Sequence, residues 1–149
     1  MSHYCDTSAL ALAFWFPSSN KGFQCPLSGP MLNQSIFYYE AVTVCAAMCE
    51  VVTQLPHGSC LVVFTDNLNT MQMFNSLVAL TPMNWMLISM VDMLLHSDID
   101  FQVFHVLGIH DTVVDHLSCL HNNEALECVL GLSITSFQPP RNMLGAAKK

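Results

Sequence analysis

Asp6, Glu40, Asp66 and Asp115 are the residues of this chain whose settings point most directly to chemistry. Asp6 ends or interrupts a short opening strand segment, His3 to Asp6. Asp66 closes the continuous apolar run that begins at Cys60. Asp115 lies in the first turn or so of the last long helical pattern. Glu40 lies in the second turn of a helix that is otherwise apolar, with Ile36, Phe37, Val44 and Ala47 as neighbours at helical spacing. Simple roles exist for three of them: Asp66 as a cap, Asp6 as a turn former, Asp115 as a solvated residue favoured by a helix dipole. Glu40 has no such role, because burying an unpaired carboxylate costs several kcal/mol. The usual remedy is a Lys or Arg partner, and none occurs between Lys21 and Arg141. A cation from solution is the natural substitute, and oxygen-only ligands suit Mg2+ or Mn2+. Without a metal, clustered carboxylates repel one another, and at least one pKa should rise.

The elements that must position these acids follow from the apolar patterning. Short strands are expected at His3 to Asp6, Leu10 to Phe16 and Phe23 to Cys25, joined by tight links as an antiparallel meander. Residues 26–34 read as a loop and Ser35 as an N-cap. Ile36 to Leu55 reads as a central helix, stopped by Pro56 and Gly58. Cys60 to Asp66 reads as a strand buried on both faces, as in parallel sheets. Asn67 or Asn69 can cap a helix through about Val78, and Pro82 begins another through about His96. Asp100 to Leu107 is the next strand, and Asp111 can cap a last helix through about His121, followed by a helical piece from Glu124 to Leu130. Open α/β sheets bind ligands at the carboxyl ends of their strands, and Asp66 sits at such an end.

Composition narrows the class. At 149 residues, 52% hydrophobic and 10% charged, the chain suits one folded domain and not a disordered segment. The expected division is a domain over 1–131 and a linker or tail over 132–149, where Pro139, Pro140 and Gly145 break any pattern. No apolar run reaches the roughly 18 residues of a membrane span. The stretch Leu10 to Phe16 lacks a basic flank, follows Asp6 and ends at Pro17, so it is not read as a signal peptide. An intracellular location, cytoplasm or nucleus, is the resulting expectation. The seven cysteines form no regular framework and read as small buried hydrophobes. A zinc site from His3, Cys5 and Cys25 matches no standard spacing. The net charge of −7, with four basic residues, does not provide the basic face a nucleic-acid binder normally carries.

Four pieces of sequence, each with its acid, resemble the ribonuclease H-like domain of retroelement polyproteins, the module that follows reverse transcriptase, most closely that of fungal retroelements. Tyr4 to Phe16 looks like the first strand with its catalytic Asp and the second strand. Ile36 to Ala41 looks like the helix with the catalytic Glu. Val63 to Thr70 looks like the strand ending in the second Asp. Val103 to Gly108, with Asp111 and Val113 to Ser118, looks like the last strand and the helix with the third Asp. Phe137 to Arg141 and Leu144 to Lys148 are similar to the link toward a downstream module. The resemblance covers residues 3 to 149, and with so short a lead before Asp6 the chain reads as part of a larger reverse-transcriptase polyprotein.

The resemblance implies an α/β fold with a mixed five-stranded sheet, three antiparallel strands then two parallel, and helices on both faces. It implies hydrolysis of the RNA strand of an RNA–DNA hybrid with two Mg2+ or Mn2+ ions. Asp6 and Asp66 would be central ligands, Glu40 and Asp115 flanking ones. His110, in a loop, would aid proton transfer or product release. The sequence also departs from the pattern. Ala9, Ala11 and Ala13 stand where glycines are usual, Asp111 where Asn is usual, Val114 where Ala is usual, and Cys119 where Arg is usual; His116 replaces a small residue. The alternative expectation is therefore a catalytically degenerate or domesticated copy that keeps the fold as a structural or interaction module. A 3′-exonuclease or integrase-like nuclease is a third, disfavoured by the Glu in the first helix and the Asp in the last.

Overall fold

Ser2–Thr7 (β1), Ala11–Phe16 (β2) and Lys21–Pro26 (β3) form the expected antiparallel meander. The structure, a computed structural model, describes residues 1–28 and 34–139. Part of the expected loop over 26–34 and the tail from residue 140 onward, with Arg141, Lys148 and Lys149, lie outside the described residues. Ile36–Val52 (α1) follows, and Ser35 caps it by accepting from the Tyr38 N–H at 3.2 Å. Cys60–Thr65 (β4) pairs parallel to β1, and Leu68–Ser76 (α2) starts at Asn67, whose side chain accepts from the Thr70 N–H at 3.0 Å. A short 3-10 turn at Thr81–Met83 leads into Asn84–Ser97 (α3), which ends at Asp98 in the left-handed region, φ 52°. Asp100–His105 (β5) pairs parallel to β4. A 3-10 turn at Gly108–His110, then Thr112–Ser118 (α4) and Asn122–Cys128 (α5), complete the helices.

The sheet has six strands among the described residues, in the order β5-β4-β1-β2-β3-β6, instead of the five expected. The added strand, Ser133–Ser136 (β6), lies inside the segment read as a linker and pairs parallel to β3, from Lys21 opposite Ser133 to Gln24 opposite Ser136. Its polar sequence carries no apolar stripe. What places it is the free backbone edge of β3, extended by the Phe137 N–H donating to the Gln24 carbonyl at 3.1 Å. Phe137 then packs on Phe14, ring centroids 4.8 Å apart. The sheet therefore continues past residue 131.

Helices cover both faces. On one, α1 lies between the sheet and α3, which explains why it is apolar nearly all round; Leu12, Phe14, Val42, Val44, Met48, Val63 and Met90 form the main core there. On the other, α4 packs on β1, β2 and β3, with Ala13, Val114, Leu117 and Ala125 in a smaller core. Gly22 permits that contact, since a Cβ there would come 2.9 Å from Leu117 Cδ1. This second layer stops short of β4 and β5. Val62 and Phe64 are therefore half-buried, and β4 is not covered on both faces as its sequence suggested. A row of rings crosses the uncovered face in register: Trp15 with Tyr4 at 6.1 Å, Tyr4 with Phe64 at 4.8 Å, Phe64 with Phe104 at 6.0 Å.

All the cysteines of the described residues are free. Cys5, Cys25 and Cys45 are buried, whereas Cys60 and Cys128 are exposed. His3, Cys5 and Cys25 do not form a metal-ligating group among the described residues. No single helix among them is long and apolar enough to cross a membrane.

Candidate metal centre

β1 and β4 are parallel neighbours, and their last paired positions are Cys5 and Thr65. One residue further along each strand stand Asp6, still paired with Ala13 of β2, and Asp66, just past the end of β4, so the two acids lie side by side where the parallel pairing ends. Strand alternation decides which face each neighbour serves. Cys5 and Thr65 face α1: Cys5 joins the main core, and Thr65 donates its hydroxyl to Glu40 Oε1 at 2.7 Å. Asp6 faces the other way and accepts from the hydroxyl of Ser118, on α4, through Oδ2 at 2.5 Å. Glu40 comes from α1 and meets the aspartates around the strand ends. Carboxylate oxygens of Asp6, Glu40 and Asp66 lie within 4.8 Å of one another.

The environment of this cluster is dry on one side and open on the other. Glu40 and Asp6 are buried, 2% and 8% exposed, and Asp66 is exposed. Burial, then the nearby Asp6, push the Glu40 carboxyl well above its ordinary range, and the hydroxyls of Thr65 and Thr7 offset only part of this. Burial also raises Asp6 to about 6; the Ser118 hydrogen bond opposes it, and Asp66 and Asp115 add to it. Gly108 lies beside Asp66, whose Oδ2 would be in ordinary contact, 3.6 Å, with a Cβ built there. His105 Nε2 is 3.1 Å from the Asp66 carbonyl oxygen, a structural contact at the end of the strand.

The residues read from the sequence as a site are thus not placed alike. Asp6, Glu40 and Asp66 converge. Asp115 is exposed on the first turn of α4, near enough to disfavour ionisation of Asp6 but outside the converging group. His110 is exposed and ends the turn before Asp111. Asp111 holds the N-cap position of α4, yet its side chain makes no capping bond, contrary to the role expected of it. Its carboxylate is 3% exposed, and both oxygens lack a hydrogen-bond partner among the described residues. Burial, then Asp6, Asp66 and Asp115, raise it to about 8.

Asp111, Ser118 and Thr65 are residues of this site that sequence reasoning gave no role in it. A signal for Asp111 was present: it precedes Asp115 by one helical turn, so both can serve the same side of α4. Ser118 and Thr65 had none, because a hydroxyl becomes informative only when its partner is known. The donor set is all oxygen, carries several negative charges and leaves buried acceptors unpartnered. Such a set fits a hard divalent cation.

Among solved structures, the chain is similar to RNase H1 from the halophilic archaeon Halobacterium salinarum NRC-1, with 12% sequence identity and a TM-score of 0.60, over 86% of this chain and 98% of that one. At that identity the likeness is one of fold, and the fold is RNase H-like: a mixed sheet, antiparallel then parallel, with helices on both faces. Neither a protein-family model nor a curated protein matches the chain.

Proposed function

We propose that this chain is an RNase H-like nuclease domain of a retroelement-derived protein, one that hydrolyses the RNA strand of an RNA–DNA hybrid with two divalent metal ions. The observation that carries the reading is the convergence of Asp6, Glu40 and Asp66 at the carboxyl ends of β1 and β4. The retroelement origin, with its fungal affinity, rests on the four ordered sequence pieces. Mg2+ or Mn2+, when bound, would activate water and stabilise the leaving oxygen.

The chain's own residues have separable tasks. Asp6 and Asp66 are the central ligands; Glu40 and Asp115 flank them. Thr65 holds Glu40 Oε1, and Ser118 holds Asp6 Oδ2, so two ligands are oriented before any ion arrives. Asp66 and Asp115 are exposed, so a scissile phosphate could reach them from solvent. His110, exposed in the turn before α4, would aid proton transfer or product release. Hybrid recognition would rest on groove shape and 2′-hydroxyls, since Lys21 is the one Lys or Arg among the described residues.

The test is cleavage of end-labelled RNA within a hybrid, with Mg2+ or Mn2+, by the wild type and by Asp66→Asn. Internal cuts that need metal and disappear in the variant are expected; equal background from both proteins removes the proposal. Stepwise shortening from one end would point instead to an exonuclease. The scarcity of basic residues favours a second reading, a non-catalytic module within a larger polyprotein. A folded chain that takes up no Mn2+ at millimolar concentration, measured by calorimetry, would select it.

A further inference from the structure

The carboxylate of Asp111 has the least compatible surroundings of any charged group described. It is 3% exposed, and neither oxygen is hydrogen-bonded among the described residues. Buried polar atoms are nearly always partnered, and a carboxylate is the costliest kind to leave unpartnered. Other buried side chains without partners are His3, Tyr39 and Thr70, none of which carries a negative charge. The groups that act on Asp111 are themselves acids, namely Asp6, Asp66 and Asp115. Lys21, the one Lys or Arg among the described residues, does not answer it, because it sits beside Met1 and Glu50. The helix does not answer it either, since the side chain stands at the N-cap of α4 without accepting a helix N–H.

We infer that Asp111 is a further cation ligand, holding a divalent ion together with Asp6 and Asp66 from the base of α4. This rests on the proposal that the cluster is a metal centre, and it adds a carboxylate that reading did not include. Asp111 stands outside the three carboxylates that already converge, close enough to feel Asp6 and Asp66. The turn that precedes Asp111 begins at Gly108, which lies beside Asp66 Oδ2, and the Asp111 N–H donates back to the Gly108 carbonyl at 3.1 Å. Asp111 also lines a surface cavity of about 350 Å3 with Tyr4, Trp15 and His110. A hard cation would satisfy both orphaned oxygens and relieve the repulsion within the cluster. With Asp111 as ligand, a Mg2+ or Mn2+ ion is held deeper than Asp115 alone would hold it, because Asp115 is exposed where Asp111 is buried.

The experiment is Mn2+ titration of the full chain by calorimetry, comparing wild type, Asp111→Asn, Asp115→Asn and Asp66→Asn, with circular dichroism and thermal unfolding to confirm folding. Asp111→Asn keeps the shape and removes the charge. It is expected to weaken Mn2+ binding by roughly tenfold or more, on the scale of losing a group that supports a metal site, and by more than Asp115→Asn does. If Asp66→Asn loses binding while Asp111→Asn binds within about twofold of wild type, the inference falls and the metal-centre proposal stands. If the wild type takes up no Mn2+, both fall. Should Asp111→Asn not unfold cooperatively, Asp111→Ser carries the same comparison. Failure of both variants to fold would make Asp111 a structural residue and overturn the inference.

Discussion

Ser118 donates its hydroxyl to Asp6 Oδ2 at 2.5 Å, tying α4 to the first strand across 112 positions of sequence. Ser118 is fully buried and also lies 3.0 Å from the Asp115 carbonyl oxygen, so its position is set by the helix itself. Removing it leaves Asp6 with one fewer donor on the buried side. Ser118→Ala is therefore expected to destabilise the fold by about 1.5–3 kcal/mol, the range for a hydrogen bond to a charged group. Because this bond opposes the upward shift of Asp6, the variant should also raise Asp6 above about 6. Denaturant unfolding at pH 7.5 and carboxyl-carbon NMR titration check the two parts. An unchanged midpoint would mean that the bond is not made in solution.

The metal-free protein should lose stability as pH rises. Asp6 moves from 3.8 unfolded to about 6 folded, and Asp111 from 3.8 to about 8. Between those values the folded state holds protons the unfolded state has released. Stability from these groups is thus complete below about 3.8 and disappears as pH passes through about 6 and then about 8. Glu40, raised in the same direction, adds to the slope. A divalent ion binds the deprotonated cluster and should cancel the decline. Unfolding temperature against pH, in chelator and in excess Mn2+, gives the comparison: the curves should separate steadily between pH 4 and 8. Parallel curves would contradict this.

His3 works in the opposite sense. It is fully buried beside Phe16, ring centroids 5.1 Å apart, with neither ring nitrogen hydrogen-bonded among the described residues. Burial, then the N-terminal charge, lower it from 6.5 to about 3. From pH 6.5 down to 3 only the unfolded state binds the proton, so stability falls with acidification by about 1.4 kcal/mol per pH unit. His3→Leu removes both the titration and the unpartnered nitrogens. It should stabilise the fold at pH 7 by about 1–3 kcal/mol and flatten the acid limb. Chemical denaturation at pH 5 and pH 7 measures this, and a destabilised variant with the same slope would refute it.

Hybrid binding should depend more on metal than on salt. Each neutralised phosphate steepens the salt dependence, and even if all four basic residues engage the hybrid, the slope of log K against log salt is about −3.6. Fluorescence anisotropy with a labelled hybrid, with and without Mn2+ at several salt concentrations, tests this. A steeper slope that ignores metal would show that binding does not run through the carboxylates.

The order of the elements through α5, and the positions of Asp6 and Asp66 near strand ends and of Glu40 early in α1, were legible in the sequence because the signals are local. An apolar run from Cys60, a cap at Asn67 and a helix without a polar face need no distant partner to be recognised. The missing Lys and Arg between Lys21 and Arg141 likewise marked Glu40 as a residue that needs another counter-charge.

What the sequence by itself determined, then, is an α/β chain with acids at or near the ends of its elements and no Lys or Arg between Lys21 and Arg141 to answer them. Tertiary structure decided which acids meet. Asp111 and Asp115 are one helical turn apart and chemically alike, yet the first is buried and the second exposed once α4 docks on β1, β2 and β3. The same docking brings Ser118 to Asp6. The pairing of Ser133–Ser136 with β3 was decided in the same way, by a backbone edge left open across the sheet. Such contacts join residues about a hundred positions apart, and neither periodicity nor capping reaches that far.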